Sequence, residues 1–174
     1  MILLKNHYPK WLILEVGPSH PGDIRSVTEW LAPDIVVLTH IGDIPAHVEF
    51  FRSPDDVAEE KGALVESLVP EGLLVVDADS PRALALAKKT SARTVTYGFS
   101  PDAHFFASHA GIVYNADGVP EGIALKVNHS SRSVPVRISD TVGKQHAYPA
   151  LAAIALGVTE GINFISAAQW GEEW

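Results

Sequence analysis

Leu73-Leu74-Val75-Val76-Asp77-Ala78-Asp79-Ser80-Pro81-Arg82-Ala83-Leu84-Ala85-Leu86 decides the fold reading. Leu73 to Val76 is a short apolar run, rich in β-branched residues and ending in a polar turn, and it reads as a buried strand. Ser80-Pro81 then opens a helix to Lys89, with serine as the cap and proline at the first helical position. The same alternation recurs on both sides. Ile35 to Thr39 reads as a buried strand, followed by a helix that Ser53-Pro54 opens and that runs to about Leu68. Thr94 to Tyr97 reads as a further strand. Upstream, Trp11 to Val16 is an apolar run closed by Gly17 and reads as the first strand. Asp23 to Leu31 follows as a helix, with Ile24, Val27, Trp30 and Leu31 at helical spacing and Pro33 as its stop. Strands alternating with helices at these intervals predict a mainly parallel sheet with helices on both faces.

The pattern changes after Ala103. Short β-like segments run to Ile138, with turns at Asn115-Ala116-Asp117-Gly118 and near Asn128 to Arg132. Ile123 to Val127 and Val134 to Ile138 form a small antiparallel β element, and Pro135 marks the second as an edge strand. A helical block is expected from about Lys144 to Ala155 and another from Thr159 to Ala168. The whole reads as a single α/β domain of 174 residues.

Composition narrows the functional classes. The chain has 13 basic and 21 acidic residues, a formal charge of −8. Nucleic-acid binding is not expected without a clustered basic face. There is no cysteine, so disulfides, thiolate metal sites and cysteine nucleophiles are excluded. No apolar run is long enough to span a membrane, which takes roughly 18 residues. The apolar start is too short for a signal peptide, and the cytoplasm is the expected location. Contiguous apolar patches make self-association an expectation as well.

Three segments carry a family resemblance by their order and spacing. They are Leu14-Glu15-Val16-Gly17 with Pro21-Gly22-Asp23-Ile24, then Leu38-Thr39-His40-Ile41-Gly42 leading to Ala46-His47-Val48-Glu49-Phe50-Phe51, then Glu60-Lys61-Gly62. Together they resemble the central domain of the Mur ligases, the ATP-dependent enzymes that build the peptidoglycan stem peptide. Within that family the segments resemble the MurF-like branch. The resemblance covers roughly residues 11–157; the terminal Gln169 to Trp174 has no counterpart in it. Each piece alone is weak, and specificity rests on the combination.

The resemblance implies roles residue by residue. Glu15, read at a strand end, is a magnesium ligand; without the motif it is a strand-end acid facing water or a helix. His47 falls in the family's metal-binding histidine segment, displaced by Asp43-Ile44, which looks like a two-residue insertion. Lys61 matches a lysine that the family carbamylates, turning a cation into an anionic metal ligand. Read on its own it is a solvated lysine beside Glu59 and Glu60. Asp77-Ala78-Asp79-Ser80-Pro81 resembles Asn-Ala-Asp-Asp-Pro, which borders the nucleotide. Gly143-Lys144-Gln145-His146-Ala147-Tyr148-Pro149-Ala150-Leu151-Ala152-Ala153 resembles Gly-x-His-Asn-x-x-Asn-Ala-Leu-Ala-Ala. Gln145 and His146 therefore stand where the family has a His-Asn pair whose asparagine contacts adenine.

The chain departs from the family pattern at several points. His40 replaces the asparagine of Thr-Asn-Ile-Gly, and Asp77 replaces the first asparagine of Asn-Ala-Asp-Asp-Pro. Pro149 replaces an asparagine and is expected to kink or restart the helix around it. No G-x-x-x-x-G-K-[ST] phosphate loop occurs in the 174 residues.

The implied reaction is amide-bond formation on a UDP-muramoyl-peptide substrate. ATP converts a carboxylate to an acyl phosphate, an amine attacks, and phosphate leaves. ATP and Mg are the implied cofactors, with weak binding and negligible ligase activity expected from this polypeptide by itself. Two other readings stay open. One is a degenerate Mur-like protein kept for binding or assembly. The other is an unrelated α/β metallohydrolase using Glu15, His20, His40, His47 and Asp79, although no H-x-H or H-E-x-x-H spacing supports it.

Overall fold

In a computed structural model, residues 9–43 and 49–169 are described. One six-stranded sheet runs in chain order from β1 to β6: β1 (Ile35–Leu38), β2 (Leu73–Asp77), β3 (Arg93–Gly98), β4 (Phe105–Tyr114), β5 (Pro120–His129) and β6 (Arg132–Ser139). The first four strands are mutually parallel, and β4, β5 and β6 are antiparallel. The expected small antiparallel element is thus continuous with the parallel sheet. It joins through β4, whose first residues pair with Tyr97 and Gly98 at the end of β3.

Helices α1 (Asp23–Thr28), α2 (Pro54–Glu66), α3 (Pro81–Leu86), α4 (Ala147–Thr159) and α5 (Phe164–Gln169) complete the fold. β2 sorts them, because successive residues of a strand point to opposite faces. Leu74 and Val76 enter a core with Val36, Leu38, Ala58, Val65, Ala83 and Leu86, beneath α2 and α3. Leu73 and Val75 enter the other core, which gathers Tyr97, Phe105, Ile123, Val127 and Val136 under α4 and α5. Helices on both faces of the parallel half match the expected fold class.

The caps behave as their residue types dictate. The Ser53 and Ser80 side chains accept from the amides of Asp56 and Ala83, with proline next in each case. The last two strands close through Ser130 and Ser131, both at positive φ, the backbone of a tight hairpin turn that suits their right-handed twist. Pro135 lies on β6, at the sheet edge as expected.

The expected first strand does not form. Residues 11–16 have no strand pairing, and Ile13 is 87% exposed. An apolar run becomes a buried strand only when a neighbouring strand takes its amides and carbonyls. Among the described residues, β1 pairs with β2 alone. The segment instead lies exposed beside the outer edge of β1, and Glu15 stands in it rather than at a strand end. The first helix is also shorter than its periodicity predicts, ending at Thr28 with Trp30 left 71% exposed.

Candidate functional site

The carboxyl ends of β1, β2 and β3 open on one edge of the sheet, and the start of α4 leans over it. His40 lies just past β1, Asp77 is the last residue of β2, and Asp79 follows in the turn to α3. Asp77 is fully buried. Its carboxylate meets His40 Nδ1 at 2.9 Å and accepts from the amide of Asp79. A buried carboxylate needs such partners, since removing it from water without them is costly. The His40 side chain, by contrast, is 56% exposed.

Asp79 is the hub of the edge. Its carboxylate accepts from the amides of Phe99 and Ser100, and from the Tyr148 hydroxyl at 2.9 Å. Gly98 makes the approach feasible, for a Cβ there would stand 2.8 Å from Asp79 Oδ2. Burial, then the bond to Asp79, pushes the Tyr148 phenol well above its usual range, so it remains a proton donor. Burial, then the charge of Asp77, does the same to Tyr97 beneath.

Beside these groups Phe99 packs on Tyr148, and the Lys144 ammonium sits 3.9 Å from the centre of the Phe99 ring. That contact parks a cation at the edge by attraction to the ring face. Gln145 and His146 are exposed in the 3₁₀ turn Lys144–His146 that leads into α4. The helix restarts at Ala147, which puts Pro149 in its first turn, where an amide would have no intrahelical partner. The proline is accommodated by the restart expected from its chemistry.

Ser80 ties the edge to the loop after β1. Its fully buried hydroxyl accepts from the amides of Ile41 and Ala83 and donates to the Ile41 carbonyl. Arg82 adds an outer clamp, bonding Asp43 and Asp55.

Glu15 is exposed on the segment before α1, and His47 lies outside the described residues. Among the described residues, no group of three histidine, aspartate or glutamate side chains stands ready to hold a metal ion. Of the described members of the metallohydrolase set, His20 lies against Phe50 and Asp23, while His40 is bound to Asp77.

Lys61 lies on α2, next to Glu60, whose carboxylate caps α1 by accepting from the amides of Gly22 and Ile24. Burial holds the Lys61 ammonium below its ordinary range. Folding therefore disfavours the charged lysine. The resulting loss of stability is present at neutral pH and disappears as pH rises through the lowered folded-state value. Lys61→Met is expected to stabilise the chain by up to about 1 kcal/mol at pH 7, the modest scale of a partly exposed site. Urea denaturation at pH 7 checks this, and a loss of stability would show that the ammonium has a compensating partner.

Sequence reasoning missed Tyr148, Phe99, Lys144 and Glu60 as site or capping groups. The Tyr148–Asp79 bond joins residues 69 apart, and no local spacing announces it.

Taken together, a mainly parallel sheet with polar groups gathered at its carboxyl ends defines an α/β domain of the kind that takes ligands at that edge. The chain belongs to the Mur ligase middle domain family, which it matches over residues 3–157.

Its relatives include the UDP-N-acetylmuramoyl-tripeptide–D-alanyl-D-alanine ligase of Bacillus subtilis (strain 168), 28% identical over 86% of this chain and 30% of that protein. The Mycobacterium bovis ligase of the same name is 36% identical over 49% of this chain and 16% of that protein. This chain therefore spans less than a third of either relative. MurF from Acinetobacter baumannii shares the fold, with a TM-score of 0.78 at 19% identity, over 92% of this chain and 33% of that one. So does MurF from Thermotoga maritima, solved in complex with ADP, with a TM-score of 0.70 at 19% identity, over 86% of this chain and 33% of that one. Among the described residues, no helix is long and apolar enough to cross a membrane.

Proposed function

We propose that the chain supplies the nucleotide-binding middle domain of a MurF-like amide ligase, which extends a UDP-muramoyl-peptide in peptidoglycan precursor synthesis. The observation that carries this reading is the polar edge itself: Lys144, Gln145 and His146 face outward above a carboxylate framework, in a chain of this family.

Each residue has a distinct task in the proposal. Gln145 and His146 offer amide and imidazole edges, and a flat ring, to an adenine base. Lys144 supplies positive charge to an anion in an otherwise acidic protein. Asp79 holds the loop at Phe99 and Ser100 through hydrogen bonds internal to the chain, so it shapes the site rather than holding metal. The same holds for Asp77. A magnesium ion would fall to the exposed carboxylate of Glu15, with His47 and a modified Lys61, and would offset phosphate charge when bound. The neutral Lys61 amine can attack carbon dioxide, forming a nitrogen–carbon bond and releasing one proton, to give the carbamate. Burial of its ammonium supports that modification.

Affinity from these residues without a phosphate loop is expected to be weak, with Kd near 1 mM, about 4 kcal/mol of binding. The test is calorimetric titration of the 174-residue chain with Mg-ATP and Mg-ADP, beside a Lys144→Ala/His146→Ala variant and a Glu15→Ala/His47→Ala variant. Binding that both variants weaken at least about fivefold, roughly 1 kcal/mol, supports the assignment. A folded chain that binds neither nucleotide overturns it. That outcome favours the second reading, a Mur-like scaffold for binding or assembly, which the replacements at Gln145, His146 and Pro149 motivate.

A further inference from the structure

Two departures from the family pattern touch each other. His40 and Asp77 each stand where the resembling motifs carry asparagine, they are 37 residues apart, and their side chains meet at 2.9 Å. Two amides facing one another would have formed a neutral hydrogen bond. The pair present here consists of a carboxylate with no exposed surface and an imidazole that is 56% exposed.

The geometry fixes the chemistry of the ring. A carboxylate oxygen accepts, so Nδ1 supplies the hydrogen to Asp77 Oδ2, and the tautomer with its hydrogen there has a lone pair on Nε2. The Nδ1 side points at the buried carboxylate, so the exposed part of the ring is its Nε2 side. Among the described residues nothing hydrogen-bonds to Nε2. Tyr148 has its ring 6.4 Å from that of His40, yet its hydroxyl is given to Asp79 and does not compete. Asp77 has its other oxygen on the Asp79 amide, which locks the carboxylate in turn. The remaining charged groups of this edge are engaged as well: Asp79 by backbone amides, Lys144 by the Phe99 ring, and Arg82 by Asp43 and Asp55.

We propose that His40 and Asp77 form a catalytic dyad, in which His40 Nε2 accepts a proton from the amine or hydroxyl of a ligand held at the carboxyl edge. In that step the ligand's N–H or O–H bond breaks, its electron pair stays on nitrogen or oxygen, and the proton joins Nε2. The imidazolium so formed is stabilised by the Asp77 carboxylate. Asp77 is the positioning residue and touches no ligand. A purely structural pair would need only a donor for Asp77, which an asparagine at position 40 also supplies. The accepting nitrogen is what histidine adds.

The experiment uses the 174-residue chain with ¹⁵N-labelled histidine and a probe reaction that needs no nucleotide, so its outcome is separate from that of the ligase reading. Long-range ¹H–¹⁵N spectra report the tautomer of His40. Hydrolysis of p-nitrophenyl acetate reports the reactivity of Nε2. There the nitrogen attacks the ester carbonyl and p-nitrophenolate leaves; water then releases acetate and two protons and restores the neutral ring. His40→Asn keeps a donor to Asp77 and so preserves the fold, while the remaining histidines supply the background.

The wild-type chain is expected to carry its His40 hydrogen on Nδ1 and to exceed His40→Asn in rate by about tenfold or more, because Asp77 orients the imidazole as a nucleophile. Asp77→Asn is expected to move the hydrogen to Nε2 and to remove most of the excess rate. A wild-type hydrogen on Nε2, or a His40→Asn rate within about twofold of wild type, overturns the proposal.

Discussion

Asp79→Ala is expected to lower the unfolding free energy by about 3 kcal/mol, because one carboxylate serves three donors from two distant parts of the chain. Hydrogen bonds to an ionised group are worth roughly 1.5–3 kcal/mol each when buried. Asp79 is only partly buried, so water replaces some of what the mutation removes and the total falls well short of a full sum. The amides of Phe99 and Ser100 and the hydroxyl of Tyr148 would each lose a partner. The loop after β3 would then be held only by its neighbours, and the start of α4 would lose its tie to the sheet edge. Urea denaturation followed by circular dichroism measures the loss. Asp79→Asn, which keeps an acceptor but no charge, should fall about midway, near 1.5 kcal/mol. A loss below about 1 kcal/mol for Asp79→Ala would mean that water satisfies these donors and that the hub is not structural.

The reach of that one side chain also explains what could be read from sequence and what could not. β1, β2 and β3 were legible because each is a short apolar run bounded by turn residues, and α2 and α3 because Ser-Pro pairs open both. Those signals are local. The run at Trp11 to Val16 carries the same local signal and forms no strand, because strand formation also depends on a neighbouring strand to pair with. The site divides in the same way. Asp77 and Asp79 entered the nucleotide site only through the family resemblance; their own residue pattern marked a strand-to-helix turn. Tyr148 and Glu60 were not legible, since their bonds span 69 and 36 to 38 residues and depend on how helices seat on the sheet. His40 was visible as a departure from the family pattern and as a candidate in the metallohydrolase reading, but its pairing with Asp77 became visible only in the fold. Lys61 needed burial, which no helical spacing supplies.

Leu151→Ala should cost about 3–4 kcal/mol, in the upper part of the range for truncating a fully buried leucine. Ala147, Leu151 and Ala155 fall four apart on α4, and none has exposed surface. The alanines let the helix seat closely on the sheet, and Leu151 fills the space between them in the core shared with Val75, Val95 and Tyr97. Strands β2 and β3 are hydrogen-bonded on both sides and resist moving inward, so the space left by the lost methyl groups would remain largely open. Leu156→Ala is the matched control: that residue is only partly buried against the same core, and a smaller loss of about 1–2 kcal/mol is expected. The effect should also reach the site, because α4 places Tyr148 over Asp79. Hydrogen exchange at the amides of Phe99 and Ser100 should accelerate in Leu151→Ala beyond the change in Leu156→Ala. Equal exchange in the two variants would mean that the edge is held by its own hydrogen bonds and not by the seating of α4.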